Sequence, residues 1–238
     1  MADWSRITTI LKNHTKEFFP IVPFTPGKDR LLKMDFTGAN LSLTDELLGN
    51  TKLFSRYIEQ QLMTHRCRYG IGGYAEHRTV YSRSRHFDSL DPDEEPRRLH
   101  LGIDIWGPAH TDVNAPMDGK VHSFAFNDNF GDYGATIILE HELDDVVVHA
   151  LYGHLSVQSL EKLNTGKSIT AGTTFGDFGE EHENGHWPPH LHFQLIMDMD
   201  GRKGDYPGVC KYSEKDKYLS NCPDPDLILN MMKYAIHY

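Results

Sequence analysis

Two short segments of the sequence carry side chains that could bind a metal ion. In the segment "PPHLHFQL" (188–195), strand alternation places His190, His192 and Gln194 on one face and the apolar side chains on the other. A core strand does not need imidazoles on its second face, whereas a metal site does. The histidine pair therefore marks a candidate metal site, although an H-x-H pair by itself is a weak signal.

The second segment is "HLGIDIW" (100–106), in which His100 and Asp104 share a face with Gly102. On a straight strand the two side chains would lie about 13 Å apart, which is too far for both to bind one ion. A bend at Gly102 or a helical turn is needed to bring them together. If the chain bends, imidazoles, a carboxylate and a water would form the ligand shell of a catalytic zinc site.

Composition excludes some classes of partner. The formal charge of −10 and the isoelectric point near 5.8 argue against a nucleic-acid surface and against an anionic membrane surface. A hydrophobic content of 39% is enough for a folded core. The first residues, "MADWSRITTILKNHTKEFFP", lack the apolar run of a signal peptide, and no segment approaches the ~20 apolar residues of a membrane-spanning helix. We therefore expect a soluble cytoplasmic protein.

The cysteine count supports the same expectation. The three cysteines, Cys67, Cys210 and Cys222, are few and odd in number, which favours reduced thiols. A Cys210–Cys222 disulfide in an oxidising compartment is the alternative.

The pattern along the chain predicts three regions. Residues 1–70 are predicted to form a helical N-terminal extension packed on the core, with helices in "DWSRITTILKNHTKEF" and in "SLTDELLGNTKLFSRYIEQQLM", where Gly49 is a weak point. Residues 71–205 read as short β-strands separated by glycine, aspartate and asparagine. Residues 206–238 are predicted to be a loop and a C-terminal helix of the same unit, beginning near Asp224 and Pro225.

The middle region resembles the lysostaphin-type (LytM-like) zinc metallopeptidases. The ordered motifs "HLGID", "APMDGKV", "YGHLS", "GKSITAGTTFGDFG" and "PPHLHFQL" carry this resemblance over roughly residues 97–197. The resemblance implies a mainly β fold, the antiparallel duplicated hybrid motif, with residues 71–205 as the peptidase domain. It also implies that the chain bends so that His100 and Asp104 converge.

Transferred by position, the resemblance implies one zinc ion per chain, bound by His100, Asp104 and His192. It also implies that His154, in "YGHLS", and His190 are catalytic without binding the metal. One of these two histidines would be the general base, and the sequence does not distinguish them.

The activity that the resemblance implies is hydrolysis of a peptide or peptide-like amide bond by a metal-activated water, with a peptide or muropeptide-like substrate. Two alternatives remain: a metal-binding module that regulates a partner without hydrolysis, and a cupin-like metal enzyme. The order of motifs does not fit the cupin pattern. The flanking segments resemble peptidase-like modules fused to class III aminotransferases, which are cytoplasmic, and the sequence gives no oligomeric state.

Overall fold

A nine-stranded sheet forms the centre of the computed structural model, which describes residues 4–91 and 93–237. The strands are β1 (Leu31–Lys33), β2 (Tyr69–Gly72), β3 (Leu99–His100), β4 (Ile103–Trp106), β5 (Asp112–Asn114), β6 (Gly119–Asn127), β7 (Gly134–Leu143), β8 (Val146–Leu155), β9 (Ser168–Ile169), β10 (Thr174–Asp177), β11 (His190–Ile196), β12 (Val209–Cys210) and β13 (Ala235–Ile236).

The strand order of the central sheet is β13-β1-β2-β4-β11-β8-β7-β6-β9, and two small two-stranded sheets, β10-β5 and β12-β3, lie beside it. The pairs from β2–β4 to β6–β9 are all antiparallel, whereas β1 pairs in parallel with both β2 and β13. The predicted mainly β, predominantly antiparallel fold is therefore confirmed.

The helices lie at the two ends of the chain. They are α1 (Trp4–His14), α2 (Asp45–Gly49), α3 (Thr51–His65), α4 (Lys215–Leu219) and α5 (Asp226–Leu229), with 3-10 helices at Thr79–Arg83, Arg85–Phe87, Val157–Leu160, Tyr212–Glu214 and Met232–Tyr234. The weak point at Gly49 is a real break, since Asn50 ends α2 and its side chain caps α3 by accepting from the Leu53 amide. The C-terminal helix is only one turn long because Asn230 adopts a left-handed conformation, with φ of 50°.

Strand β11 shows why the sequence alternates there. All seven of its residues are buried, and Leu191, Phe193 and Leu195 join the main hydrophobic core. His190 and His192 lie on the opposite face, as predicted, where a second cluster contains Trp106 and Trp187 together with Phe36, Phe54 and other residues.

The N-terminal residues contribute to both clusters. Ile7 and Leu11 of α1 belong to the main core, and Phe54, Ile58 and Leu62 of α3 belong to the second cluster. Strand β1 and the first two residues of β2, from the region predicted to be a helical extension, add to the central sheet. The division of the chain into regions 1–70, 71–205 and 206–238 stays a prediction.

The helices and the cysteines also bear on membrane crossing and on disulfide formation. Within residues 4–91 and 93–237, no helix combines the length and the apolar character that a membrane crossing requires. The three cysteines carry free thiols, with Cys210 and Cys222 buried.

Candidate metal centre

A change of chain direction at Leu101 and Gly102 brings His100 and Asp104 together. His100 ends β3, which pairs with β12, whereas Asp104 lies in β4 of the central sheet. Because the two strands belong to different sheets, the straight-strand distance of about 13 Å does not apply. Nε2 of His100 lies 3.3 Å from Oδ1 of Asp104.

His192 completes the group from the neighbouring strand. It lies opposite Asp104 in the β11–β4 register, with Nδ1 3.1 Å from Oδ1 of Asp104 and 2.9 Å from Nε2 of His100. A Cβ atom at Gly102 would lie 2.6 Å from Cε1 of His192 and 2.8 Å from the carbonyl oxygen of Phe193. The bend therefore requires glycine, because any side chain there would displace the imidazole of His192.

The outer hydrogen-bond partners fix the protons of the two imidazoles. Nδ1 of His100 lies 3.0 Å from the carbonyl oxygen of Gly73, which can only accept, so Nδ1 carries the proton. Nε2 of His192 lies 2.9 Å from Oε1 of Gln194, whose amide nitrogen donates to the carbonyl oxygen of Pro207 at 3.1 Å. His192 is therefore protonated on Nε2 and has a lone pair on Nδ1.

Three electron-pair donors thus face one another without a hydrogen between them: Nε2 of His100, Nδ1 of His192 and Oδ1 of Asp104. Their mutual repulsion is relieved by a cation at their centre. A tetrahedron with metal–ligand bonds of about 2.0–2.1 Å has edges of about 3.3 Å, and the separations of 2.9, 3.1 and 3.3 Å lie at or just below that value. Imidazole and carboxylate donors also suit zinc, so this group fits the ion.

The second oxygen of Asp104 is held by a buried arginine. Nη1 of Arg78 donates to Oδ2 of Asp104, and Nε of Arg78 donates to Glu76 at 2.7 Å. The guanidinium also lies over the ring of Phe36, 5.3 Å from its centroid. Burial alone would raise the pKa of Asp104, but the buried guanidinium of Arg78 helps to hold that pKa well below its usual value, so the carboxylate is ionised.

His154 and His190 lie beside this group. Their ring centroids are 4.1 Å apart, and Nε2 of His190 lies 4.0 Å from Oδ1 of Asp104. Nδ1 of His154 donates to the carbonyl oxygen of Asn184 at 2.7 Å, and Nδ1 of His190 donates to that of Pro188 at 2.8 Å. Both rings therefore present an unprotonated Nε2.

The surroundings keep these two imidazoles neutral. Burial lowers the pKa of His190 to about 4, and burial together with His190 and His192 lowers the pKa of His154 well below its usual value. Trp106 stacks on His190 with centroids 3.9 Å apart. His154 has a φ of 62°, a conformation that is uncommon for a residue other than glycine and that often occurs at functional sites.

We call His100, Asp104 and His192 the metal group. A cavity of about 200 Å³ opens in front of the metal group. Asp104, His154, His190 and His192 line it, and these side chains are between 3% and 5% exposed. The other walls are mostly aromatic or apolar: Val80, Tyr81, Phe87, Trp106, Tyr133, Trp187, Tyr206, Pro207 and Val209. The site is thus a pocket in the protein rather than a surface patch.

The five predicted site residues are therefore brought together, and their individual roles stay proposals. The sequence analysis missed Arg78 and Gly73, because the signal for both lies in contacts with residues 26 or more positions away. Trp106, which stacks on His190, was not identified from the sequence either.

Comparison with known proteins gives a family match and structural neighbours. Residues 98–204 match Peptidase family M23, and this supports a metallopeptidase-type function for that part of the chain. The chain matches none of the curated proteins with which it was compared.

Among solved structures, the chain is similar to the catalytic domain of the antimicrobial peptidase lysostaphin from Staphylococcus simulans, with 20% identity, coverage of 70% of this chain and 98% of that one, and a TM-score of 0.39. It is also similar to the catalytic domain of the prophage-encoded M23 protein EnpA from Enterococcus faecalis, with 25% identity, coverage of 51% and 84%, and a TM-score of 0.34. A zinc-containing peptidase from Vibrio cholerae is 24% identical over 46% of this chain and 30% of that one, with a TM-score of 0.33.

The motifs in residues 97–197 and the family match over nearly the same range agree. Residues 98–204 of this chain therefore match Peptidase family M23, and the motifs within them resemble its lysostaphin-type (LytM-like) members.

Proposed function

We propose that this chain is a zinc-dependent peptidase or amidohydrolase that cleaves a peptide or peptide-like amide bond with a metal-activated water. His100, Asp104 and His192 hold one zinc ion, and His154 and His190 are the catalytic histidines. The observation that carries the proposal is the convergence of an ionised carboxylate with two imidazoles whose N–H groups both point outwards.

His100, Asp104 and His192 would hold the zinc ion, which when bound would supply polarisation of the scissile carbonyl group and a water molecule whose pKa is lowered towards ~7. His154 and His190 are both neutral and keep Nε2 unprotonated at the cavity wall, so either ring can accept the proton that the attacking water loses. The protonated imidazole then returns the proton to the leaving nitrogen. Asn184 and Pro188 keep the two rings in this tautomer by accepting from Nδ1.

The peptide-type activity also depends on keeping bulk water out. The aromatic walls leave only a small cavity in front of the ligand group, which strengthens electrostatic interactions with the developing oxyanion. Tyr133 lies on this wall, and its hydroxyl group lies 3.5 Å from Nε2 of His192 while donating to the carbonyl oxygen of Tyr206.

The test combines metal analysis with amide hydrolysis. Purified protein should contain one zinc ion per chain, a strong chelator should abolish hydrolysis, and added zinc should restore it. The His192→Ala variant should bind little zinc, whereas the control His182→Ala, which alters an exposed histidine outside the cavity, should bind zinc as the unaltered protein does. Full zinc content in His192→Ala would refute the ligand assignment.

A further inference from the structure

Residues outside the family match close the cavity. Val80, Tyr81 and Phe87 come from the 3-10 helices before residue 98, and Tyr206 and Val209 come from the segment after residue 204. All five side chains are buried. These additions, together with Trp106, Tyr133 and Trp187 of the matched range, determine how large a molecule can reach the metal group.

The volume sets an upper limit on the enclosed part of a ligand. A cavity of about 150 Å³ holds a benzene molecule, and drug-sized ligands occupy pockets of roughly 300–1,000 Å³. The cavity of about 200 Å³ therefore accommodates a group slightly larger than a phenyl ring. An extended polypeptide that passed the metal group in both directions would exceed this volume.

The mouth of the cavity differs in character from its interior. The more exposed lining residues are charged or titratable: His86, Arg97, Asp132, Arg202 and Asp205. Nε2 of His86 lies 3.9 Å from Oδ1 of Asp132, and Asp205 interacts electrostatically with Asp132, Arg202 and His86. The charged groups of a ligand would therefore remain at the mouth.

Arg97 is a cation at the mouth that has no acidic partner in the described part of the chain. Among the residues that the structure describes, it forms no ion pair; Nη2 donates to the carbonyl oxygen of His86, and the guanidinium lies 5.5 Å from the centroid of Phe87. In the interior, by contrast, the charge of Arg78 is already paired with Asp104 and Glu76. Arg97 would thus offer an anionic group an unpaired cation that the group can reach without entering the aromatic interior.

We propose that the substrate is a small N-acyl amino acid or N-blocked short peptide, with an apolar or aromatic acyl group in the cavity and a free carboxylate at Arg97. This inference rests on the proposed amide hydrolysis. The water oxygen bonds to the acyl carbon, the C–N bond breaks, and the nitrogen takes a proton. The products are a carboxylic acid and the free amino acid or shortened peptide.

Three compounds test the inference with the zinc-loaded protein: N-benzoylglycine, N-benzoylglycinamide and unfolded casein. We expect hydrolysis of N-benzoylglycine with kcat/KM at least about tenfold higher than that of the uncharged amide, as a single charge-assisted contact would give. We expect no cleavage of casein. Cleavage of casein as fast as N-benzoylglycine would overturn the inference and would leave the proposed peptidase activity in place.

The role of Arg97 is tested with a matched pair of variants. Arg97→Met should lower kcat/KM for N-benzoylglycine about tenfold and leave that for N-benzoylglycinamide unchanged. The control Arg85→Met, at an exposed arginine outside the cavity, should change neither value. An equal loss on both compounds, or no loss on either, would contradict the carboxylate contact.

Calorimetric titration separates this inference from the proposed function. If no compound is hydrolysed but N-benzoylglycine binds at least tenfold more tightly to the unaltered protein than to Arg97→Met, the proposed hydrolysis fails and the ligand class stands. If N-benzoylglycine is neither cleaved nor bound, the ligand class is wrong.

Discussion

Arg78 donates a hydrogen bond from Nη1 to Oδ2 of Asp104, and this contact leaves Oδ1 of Asp104 as the oxygen that faces His100 and His192. The arginine lies 20 residues before the matched range 98–204, and Gly73, which orients His100, lies further upstream. Two of the three proposed ligands are therefore held by a segment outside the family domain. Such outer partners set the orientation and the basicity of metal ligands.

Replacing Arg78 with lysine should weaken zinc binding without removing a ligand. A lysine keeps the positive charge, but it lacks the planar guanidinium with which Arg78 donates to Glu76 and Asp104 at the same time. The carboxylate of Asp104 therefore becomes free to rotate. We expect zinc affinity to fall by about 10- to 100-fold in competition with a chelator. The control Arg98→Lys, which alters the arginine bonded to the exposed Asp88, should keep the unaltered affinity. Unchanged affinity in folded Arg78→Lys would show that Arg78 has no positioning role.

Gly102→Ala should affect the metal group through sterics alone. The added methyl group would lie 2.6 Å from Cε1 of His192, so the imidazole must move away from His100 and Asp104. We expect a loss of about 1–3 kcal/mol in the free energy of unfolding and at least about tenfold weaker zinc binding. Gly49→Ala is the matched control, since a Cβ atom there meets nothing within 4 Å. Thermal unfolding and zinc titration check both changes, and an unaltered zinc affinity in Gly102→Ala would contradict the close-packed bend.

The sequence predicted those features of the site that depend on local pattern. The alternation of residues predicted that His190 and His192 share one face of β11. In the structure β11 pairs with β4, which places His192 opposite Asp104. The convergence of His100 with Asp104 could be inferred only from the family resemblance, because it depends on two strands that enter different sheets.

Non-local contacts explain what the sequence did not predict. A buried arginine such as Arg78 carries no local signal, since its burial depends on Asp104 and Phe36, far away in sequence. The sequence indicates the break between α2 and α3 as a weak point because Gly49 disfavours helix. The sequence did not predict that α5 would be short, because the apolar pattern continues beyond Asn230. The helix ends there because Asn230 takes up a left-handed conformation.

Zinc should stabilise the fold measurably. The ion would link β3, which lies in a small sheet, to β4 and β11 of the central sheet, and no such link exists in the unfolded chain. Free zinc at 100 times Kd adds about 2.7 kcal/mol to the free energy of unfolding. For a chain of this size, the thermal midpoint should rise by about 5–10 °C. Differential scanning calorimetry with and without zinc checks this, and an equal rise in His192→Ala would place the stabilising ion elsewhere.

The thiols should differ in reactivity. Burial raises the pKa of Cys210 and of Cys222 to about 12, so both are neutral and shielded at pH 8. Burial also raises the pKa of Cys67, but this side chain is only half-buried. We expect Ellman's reagent to modify Cys67 in the native protein and all three thiols after unfolding without a reductant. Only one reactive thiol after unfolding would reveal a Cys210–Cys222 disulfide and contradict the structure.

The assignment of metal ligands and catalytic histidines is the central claim, and zinc content measured together with turnover on the same samples tests it most directly. His100→Ala and Asp104→Ala should lose zinc and amide hydrolysis together. His154→Ala and His190→Ala should keep zinc near one ion per chain and lose at least about 10²-fold in turnover, the usual effect of removing a positioned acid–base or oxyanion group. Loss of zinc from His154→Ala as complete as from His100→Ala would contradict the division of roles. Full turnover in both His154→Ala and His190→Ala would contradict their part in hydrolysis.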